Sequence, residues 1–149
     1  MKRPDYLVLT RVDNLLLGVD VHDVREVLGD DAVLPVPLTP SLVRGLINLR
    51  GEVVTVIDAR NLLRCTPRPA GSRPSQIVVQ HRREMLSLEV DEVLEVATIA
   101  PDQYDLRPDG MQEAIRKLAS AVVQRDSDLV IVLDVAQLFD HVTARSGND

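Results

Sequence analysis

The segment Val43–Leu63, VRGLINLRGEVVTVIDARNLL, decides how the chain reads. Leu42–Leu49 and Val53–Ile57 are short apolar runs rich in β-branched residues, the composition of strands, and Arg50-Gly51 between them supplies a turn. The second run stops at Asp58, and Asn61–Leu63 continues as a helical turn. A hairpin that ends on an acidic residue and a short helix is therefore expected here.

The same pattern returns at Leu129–Phe139, LVIVLDVAQLF, which matches Val53–Leu63 at four of eleven positions. A second pair, VDVHDVREV (Val19–Val27) and LEVDEVLEV (Leu88–Val96), matches at four of nine, and the two pairs occur in the same order. The chain reads as two similar, mainly β halves spanning approximately 5–63 and 76–139. The stretch RCTPRPAGSRPS (64–75) has linker composition, and a polar, frayed tail over 140–149 is expected.

Working outward, Tyr6–Val12 and Leu15–Val19 read as strands around Asp13-Asn14. Asp20 looks like the N-cap of a short helix with Val21, Val24 and Leu28 on one face. LPVPLTP (34–40) is too rich in proline for a central strand. Ile77–Val79 and Met85–Val90 are strands around a turn at His81–Arg83, followed by a short helix near Val93 and a strand near Ala97–Ile99. After the loop APDQYDLRPDG, Ile115, Leu118, Ala119 and Val122 have helical spacing, though Ala121–Val123 could equally open a strand. Leu129–Leu133 is a strand and Val135–Phe139 a short helix.

Each half alone buries too little surface to be stable, so the halves must pack together through aliphatic side chains. Leu, Val and Ile number 50 of 149 residues, against Tyr6, Tyr104 and Phe139 as the aromatic total. Antiparallel hairpins at this spacing favour small closed barrels, which hide strand edges. Few aromatic faces and a net charge of −6 argue against nucleic-acid binding. The longest apolar runs, such as Leu129–Leu133, are far too short to span a membrane, and Arg11, Asp13 and Asn14 interrupt any export signal. Cytoplasmic localisation without membrane insertion is the expectation.

Catalytic patterns are wanting. His22, His81 and His141 have no metal-binding spacing, Cys65 stands alone, and Ser41 lacks a nucleophile-elbow context, so no metal, cofactor or enzymatic activity is expected. Gly45 and Gly51 lack the Lys-Ser/Thr of a phosphate loop and read as backbone requirements. A receiver-like phosphoacceptor at Asp58 is the alternative, with Asp30-Asp31 and Lys117 as its other acidic and basic groups. Neither follows a strand, however, and the matching places of Asp58 and Asp134 favour a shared helix-capping role. Charge is uneven: Arg60–Arg83 holds six arginines and no acid, whereas Glu84–Glu113 holds nine acids and one arginine. Two faces that steer different protein partners would explain this, as would plain solvation.

With its apolar-Gly, NLRG, apolar strand and D-x-R, Val43–Leu63 resembles the CheW-like adaptor family of bacterial chemotaxis. LLLGVDVHDVREVL and the stretch from LSLEVDEVLEV to LVIVLDVAQLF extend the likeness over nearly the whole chain. The resemblance implies two five-stranded SH3-like barrels with short helices, sharing an apolar seam. It implies no enzyme but a scaffold that couples the cytoplasmic tips of chemoreceptors to the regulatory domain of the histidine kinase CheA, recruited to membrane receptor clusters. A related chemosensory system outside flagellar control would use the same kind of scaffold. The implied partner-binding residues are Val24, Glu26 and Val27, expected on the short helix, with Arg50. The Glu26–Arg50 pair could equally be a surface salt bridge worth about 0–1 kcal/mol. Ser87 and Ser120 stand where the family often has glycine.

Overall fold

The computed structural model describes residues 3–37, 40–105 and 110–147, with side chains through residue 144. Strands β1 (Tyr6–Val12) and β2 (Leu15–Asp20) form the first hairpin. Asp20 then caps a single 3-10 turn, Val21–Asp23, by accepting from the His22 N–H, and the chain extends at once into β3 (Val24–Gly29). Val24, Glu26 and Val27 thus lie on a strand where a helix was expected. Pairing with β6 (Ser75–His81) overrides the i, i+3 spacing, in keeping with the β-branched side chains of Val21, Val24 and Val27.

β4 (Val43–Leu49), β5 (Glu52–Asp58) and α1 (Ala59–Leu62) follow the expected hairpin-to-helix order. β6 and β7 (Glu84–Val90) form another hairpin, and β8 (Glu92–Thr98) is one continuous strand in place of the helix and strand expected there. The remainder is β9 (Tyr104–Asp105), α2 (Glu113–Arg116), β10 (Ala119–Arg125), β11 (Asp128–Leu133) and α3 (Val135–Gly147). The stretch that could be helix or strand is one helical turn followed by a strand. α3 continues through most of the expected tail, because Leu138, Phe139 and Val142 are buried in the core. Residues 38–39 of the proline-rich run, 106–109 of the long loop and 148–149 of the tail lie outside the described residues.

Two sheets result, ordered β8-β1-β2-β11-β10-β9 and β3-β6-β7-β5-β4. They do not coincide with the two halves of the chain. Each sheet combines a hairpin from one half with the remaining strands of the other, so the units 5–63 and 76–139 interlock. The cause is local: only Asp91 separates β7 from β8, too little chain for a hairpin, so the strand runs on into the other sheet. The three-residue turn between β2 and β3 does the same in the opposite direction.

Each sheet curls because the chain leaving one edge strand reaches the other edge. Beyond β3, Leu34 exchanges two backbone hydrogen bonds with Leu46 of β4, at 2.7 and 2.9 Å. Beyond β8, β9 pairs with β10. The aliphatic residues fill three spaces. Leu7, Leu9, Ala97, Val123, Val130 and their neighbours fill the six-stranded barrel, and Ile47, Val54, Val56 and Val78 the five-stranded one. The largest cluster joins Val8, Val12 and Leu17 to Ile57, Ile77, Leu88 and the buried faces of α1 and α3. That cluster is the seam between the barrels, and it explains why β1 is buried on both faces.

Two buried carboxylates organise the arginine-rich segment. Glu89 accepts from Arg68 Nη1 at 2.5 Å, Gln76 Nε2 at 3.0 Å and Arg44 Nε at 3.2 Å, while Ser87 donates to Gln76 Oε1 at 2.8 Å. Ser87 is therefore a polar member of the interior. Asp91 accepts from Arg60, whose Nη1 also donates to the Thr66 carbonyl at 3.0 Å. Residues 64–75 thus form a strap pinned at Arg60 and Arg68. Part of the opposite charge on the two segments is consumed inside the molecule and is not available to steer partners.

Burial opposes ionisation of Asp91, but hydrogen bonds from Arg60 and the Asp13 N–H, with the charges of Arg60 and Arg11, hold its carboxyl below the ordinary 3.8. Its stabilising effect is complete above about pH 5 and fades as the pH falls through the lowered value. Asp91→Asn should cost about 2 kcal/mol at pH ~7 and progressively less towards pH ~2, as read by urea unfolding.

Candidate functional site

The β4–β5 turn is two residues long, with Arg50 at φ 51° and Gly51 at φ 87°. Positive φ at both central residues gives the turn whose twist suits a hairpin. The Asn48 side chain fixes it by accepting from the Gly51 N–H at 2.9 Å. Asp13, Arg82 and Asp126 take the same left-handed conformation in the other three hairpins, so the backbone here follows from the fold.

From this turn the Arg50 Nη2 reaches Glu26 Oε2 on β3 at 3.2 Å. The structure therefore brings together two of the four residues singled out in the sequence. A β-bulge at Arg25 lies between the register positions of Val24 and Glu26, a device that re-aims side chains along an edge strand. The two valines part company: Val24 packs against the seam, whereas Val27 is 49% exposed. Val53, just beyond the turn, is 70% exposed, and Leu34 is exposed as well. The pair thus belongs to an apolar, partly charged surface on the rim of the five-stranded barrel.

A second arrangement of this kind occupies the six-stranded barrel. Glu95 of β8 accepts from Arg125 Nη2 at 2.7 Å, and Arg125 adjoins the β10–β11 turn. β8 carries the same kind of bulge, at Leu94, between Val93 and Glu95. Val96 and Leu129, which the internal repeat places opposite Val27 and Val53, are 62% and 51% exposed. Sequence reasoning missed this surface. Its signal was the alignment of Leu88–Val96 with Val19–Val27, which sets Glu95 against Glu26. The repeat sets Asp126 against Arg50, however, so the basic partner comes from one residue earlier.

Between the barrels lies a cleft lined by Asp20, Asp23, His81, Val132, Asp134 and Val135. His81 packs on Phe139 of α3 with ring centroids 5.7 Å apart. Asp58 and Asp134 are both helix caps: Asp58 Oδ1 accepts from the Arg60 and Asn61 N–H groups, and Asp134 Oδ1 from that of Gln137. The shared capping role is what the chain repeat implied. Burial pushes the Cys65 thiol up from its ordinary value, the opposite of an activated nucleophile.

Two interlocked barrels, each with a Glu–Arg pair on its rim, define a double-barrel fold. The chain belongs to the CheW-like domain family, whose family model matches residues 6–143. It is 28% identical over 136 residues to chemotaxis protein CheW of Thermotoga maritima, covering 91% of this chain and 88% of that protein. It is 26% identical over 140 residues to the probable chemotaxis protein CheW of Rhizobium etli, covering 94% and 90%. The crystal structure of the scaffolding protein TtCheW from Thermoanaerobacter tengcongensis superposes with a TM-score of 0.78 at 26% identity, covering 89% of this chain and 90% of that one.

Proposed function

We propose that the chain is a chemotaxis adaptor without catalytic activity of its own, coupling chemoreceptors to the histidine kinase CheA by binding both. The observation that carries this reading is the double occurrence of one surface: a Glu–Arg pair flanked by exposed aliphatic residues on each barrel. The rim of Val27, Glu26, Arg50 and Val53 takes the kinase's regulatory domain. Val24 contributes from beneath, by seating β3 on the seam. The equivalent rim of Glu95, Val96, Arg125 and Leu129 takes a second barrel domain, and the inter-barrel cleft takes a helix of the receptor tip. Recruitment to receptor clusters follows from the last contact.

Such a scaffold acts through coupling free energy, so its contacts with one partner must differ between the other partner's signalling states. Asp58 favours the capping role over a phosphoacceptor one, since its Oδ1 accepts from the N–H groups that open α1.

Arg50→Glu tests the first rim. Its side chain is exposed and its ion pair superficial, so thermal stability should stay within about 0.5 kcal/mol of the parent. Affinity for the isolated CheA regulatory domain, by titration calorimetry, should fall by about 10-fold, because a charge facing the partner is reversed beside Glu26. Collapse of stability with unaltered affinity would make Arg50 a residue of the fold alone.

A further inference from the structure

Among the described residues the chain passes between the barrels twice, and the two crossings are built differently. At the β2–β3 crossing Asp20 caps its own turn. At the β7–β8 crossing the single residue Asp91 gathers groups from both barrels. Its carboxylate accepts from Arg60 Nη2 at 2.6 Å and Nε at 2.9 Å, from the Asp13 N–H at 2.8 Å and from Arg11 Nη1 at 3.2 Å. Its own N–H donates to the Arg11 carbonyl at 2.9 Å. Arg11 and Asp13 belong to the first hairpin of the six-stranded barrel, and Arg60 to the helix that follows the β4–β5 hairpin of the five-stranded one.

The internal repeat sets His22, Ala136, Gln80 and Arg82 opposite Asp91, Arg60, Arg11 and Asp13. That set cannot build the same hub, so the repeat does not carry the device over to the other crossing. The Asp91 and Arg60 side chains are only 6% and 9% exposed.

The hydrophobic force that closes the aliphatic seam is itself non-directional. A forked guanidinium–carboxylate contact is directional. Its net effect on stability is small, because desolvating both charges offsets their attraction, although removing one partner alone is costly. We propose that the Arg60–Asp91 pair is an orientation lock. It sets the angle between the barrels, and with it the spacing of the two Glu–Arg rims, while adding little net stability. The inference stands on geometry and is independent of the adaptor reading.

The test removes both charges together. In a Cys65→Ser background, spin labels on Arg83→Cys and Ser127→Cys, exposed in the β6–β7 and β10–β11 turns, report the inter-barrel distance by pulsed electron resonance. The protein with Arg60 and Asp91 intact should give one narrow distribution. With Arg60→Met and Asp91→Asn combined, the Asn oxygen can still accept from the Asp13 N–H. The distribution should broaden about twofold or split, while the melting temperature stays within about 3 °C. Arg60→Lys, which keeps the charge and loses the fork, should broaden it to a lesser degree. An unchanged distribution in the double variant overturns the proposal. So does failure of the double variant to fold, since the pair would then be a stabilising contact and not a lock.

Discussion

Replacing Gly45 by alanine should destabilise the protein by about 4 kcal/mol and lower its melting temperature by about 10 °C. Gly45 has φ 156°, and an added Cβ would lie 2.3 Å from the Leu34 carbonyl oxygen and 3.1 Å from the Pro35 Cα. Both obstacles are backbone, and the Leu34 carbonyl is held by the Leu46 N–H at 2.9 Å. The passing chain can retreat only by giving up the hydrogen bonds that close the five-stranded barrel. Gly51→Ala is the control, because Gly51 also has positive φ, at 87°, but has nothing within 4 Å of an added Cβ. It should cost about 1 kcal/mol, the conformational term alone. Denaturant unfolding of the two variants separates closure from conformation, and equal costs would show that the Leu34 approach is not a fixed constraint.

The contrast between these glycines marks how far the sequence could be read. Both were legible as backbone requirements, because the turn at Arg50-Gly51 and the strands beside it are local patterns. The Leu34 approach is a contact between segments, and nothing local to Gly45 announces it. The same limit explains the helix expected at Val24–Leu28. Val21 and Val24 pack against the seam and Leu28 against the five-stranded core, on either side of the bulge at Arg25, so residues at helical spacing serve two different interiors. Leu94 disturbs β8 in the same manner, and there too a helix was expected.

Interlocking was hidden for a different reason. The segments matched in sequence form like elements, yet alignment says nothing about which sheet a hairpin joins. That choice follows from the one-residue gap at Asp91, which the helix expected near Val93 concealed. Of the candidate site, the Glu26–Arg50 pair was legible because the family resemblance supplied both residues, although they lie 24 residues apart in the chain. Its counterpart, Glu95–Arg125, was not, since the arginine moves by one place between the repeats.

Aspartate at the two exposed rim positions should have the largest effect on assembly. Val53 and Leu129 project from equivalent places on the two barrels and contribute little to the cores, so either change should leave thermal stability nearly unaltered. If both rims receive barrel domains, the parent protein mixed with the isolated CheA regulatory domain should form complexes beyond one-to-one. Val53→Asp and Leu129→Asp should each stop assembly at one-to-one, because a carboxylate forced into a desolvated apolar contact costs about 3 kcal/mol, or about 100-fold in affinity. The double variant should bind the domain about 100-fold more weakly at both rims. Sedimentation velocity distinguishes these stoichiometries directly. If Leu129→Asp assembles like the parent while Val53→Asp binds nothing, the second rim is not a binding surface and the molecule has one kinase-facing side. If both single variants bind like the parent, the adaptor makes its contacts elsewhere, and exposure of the paired aliphatic rims does not account for them.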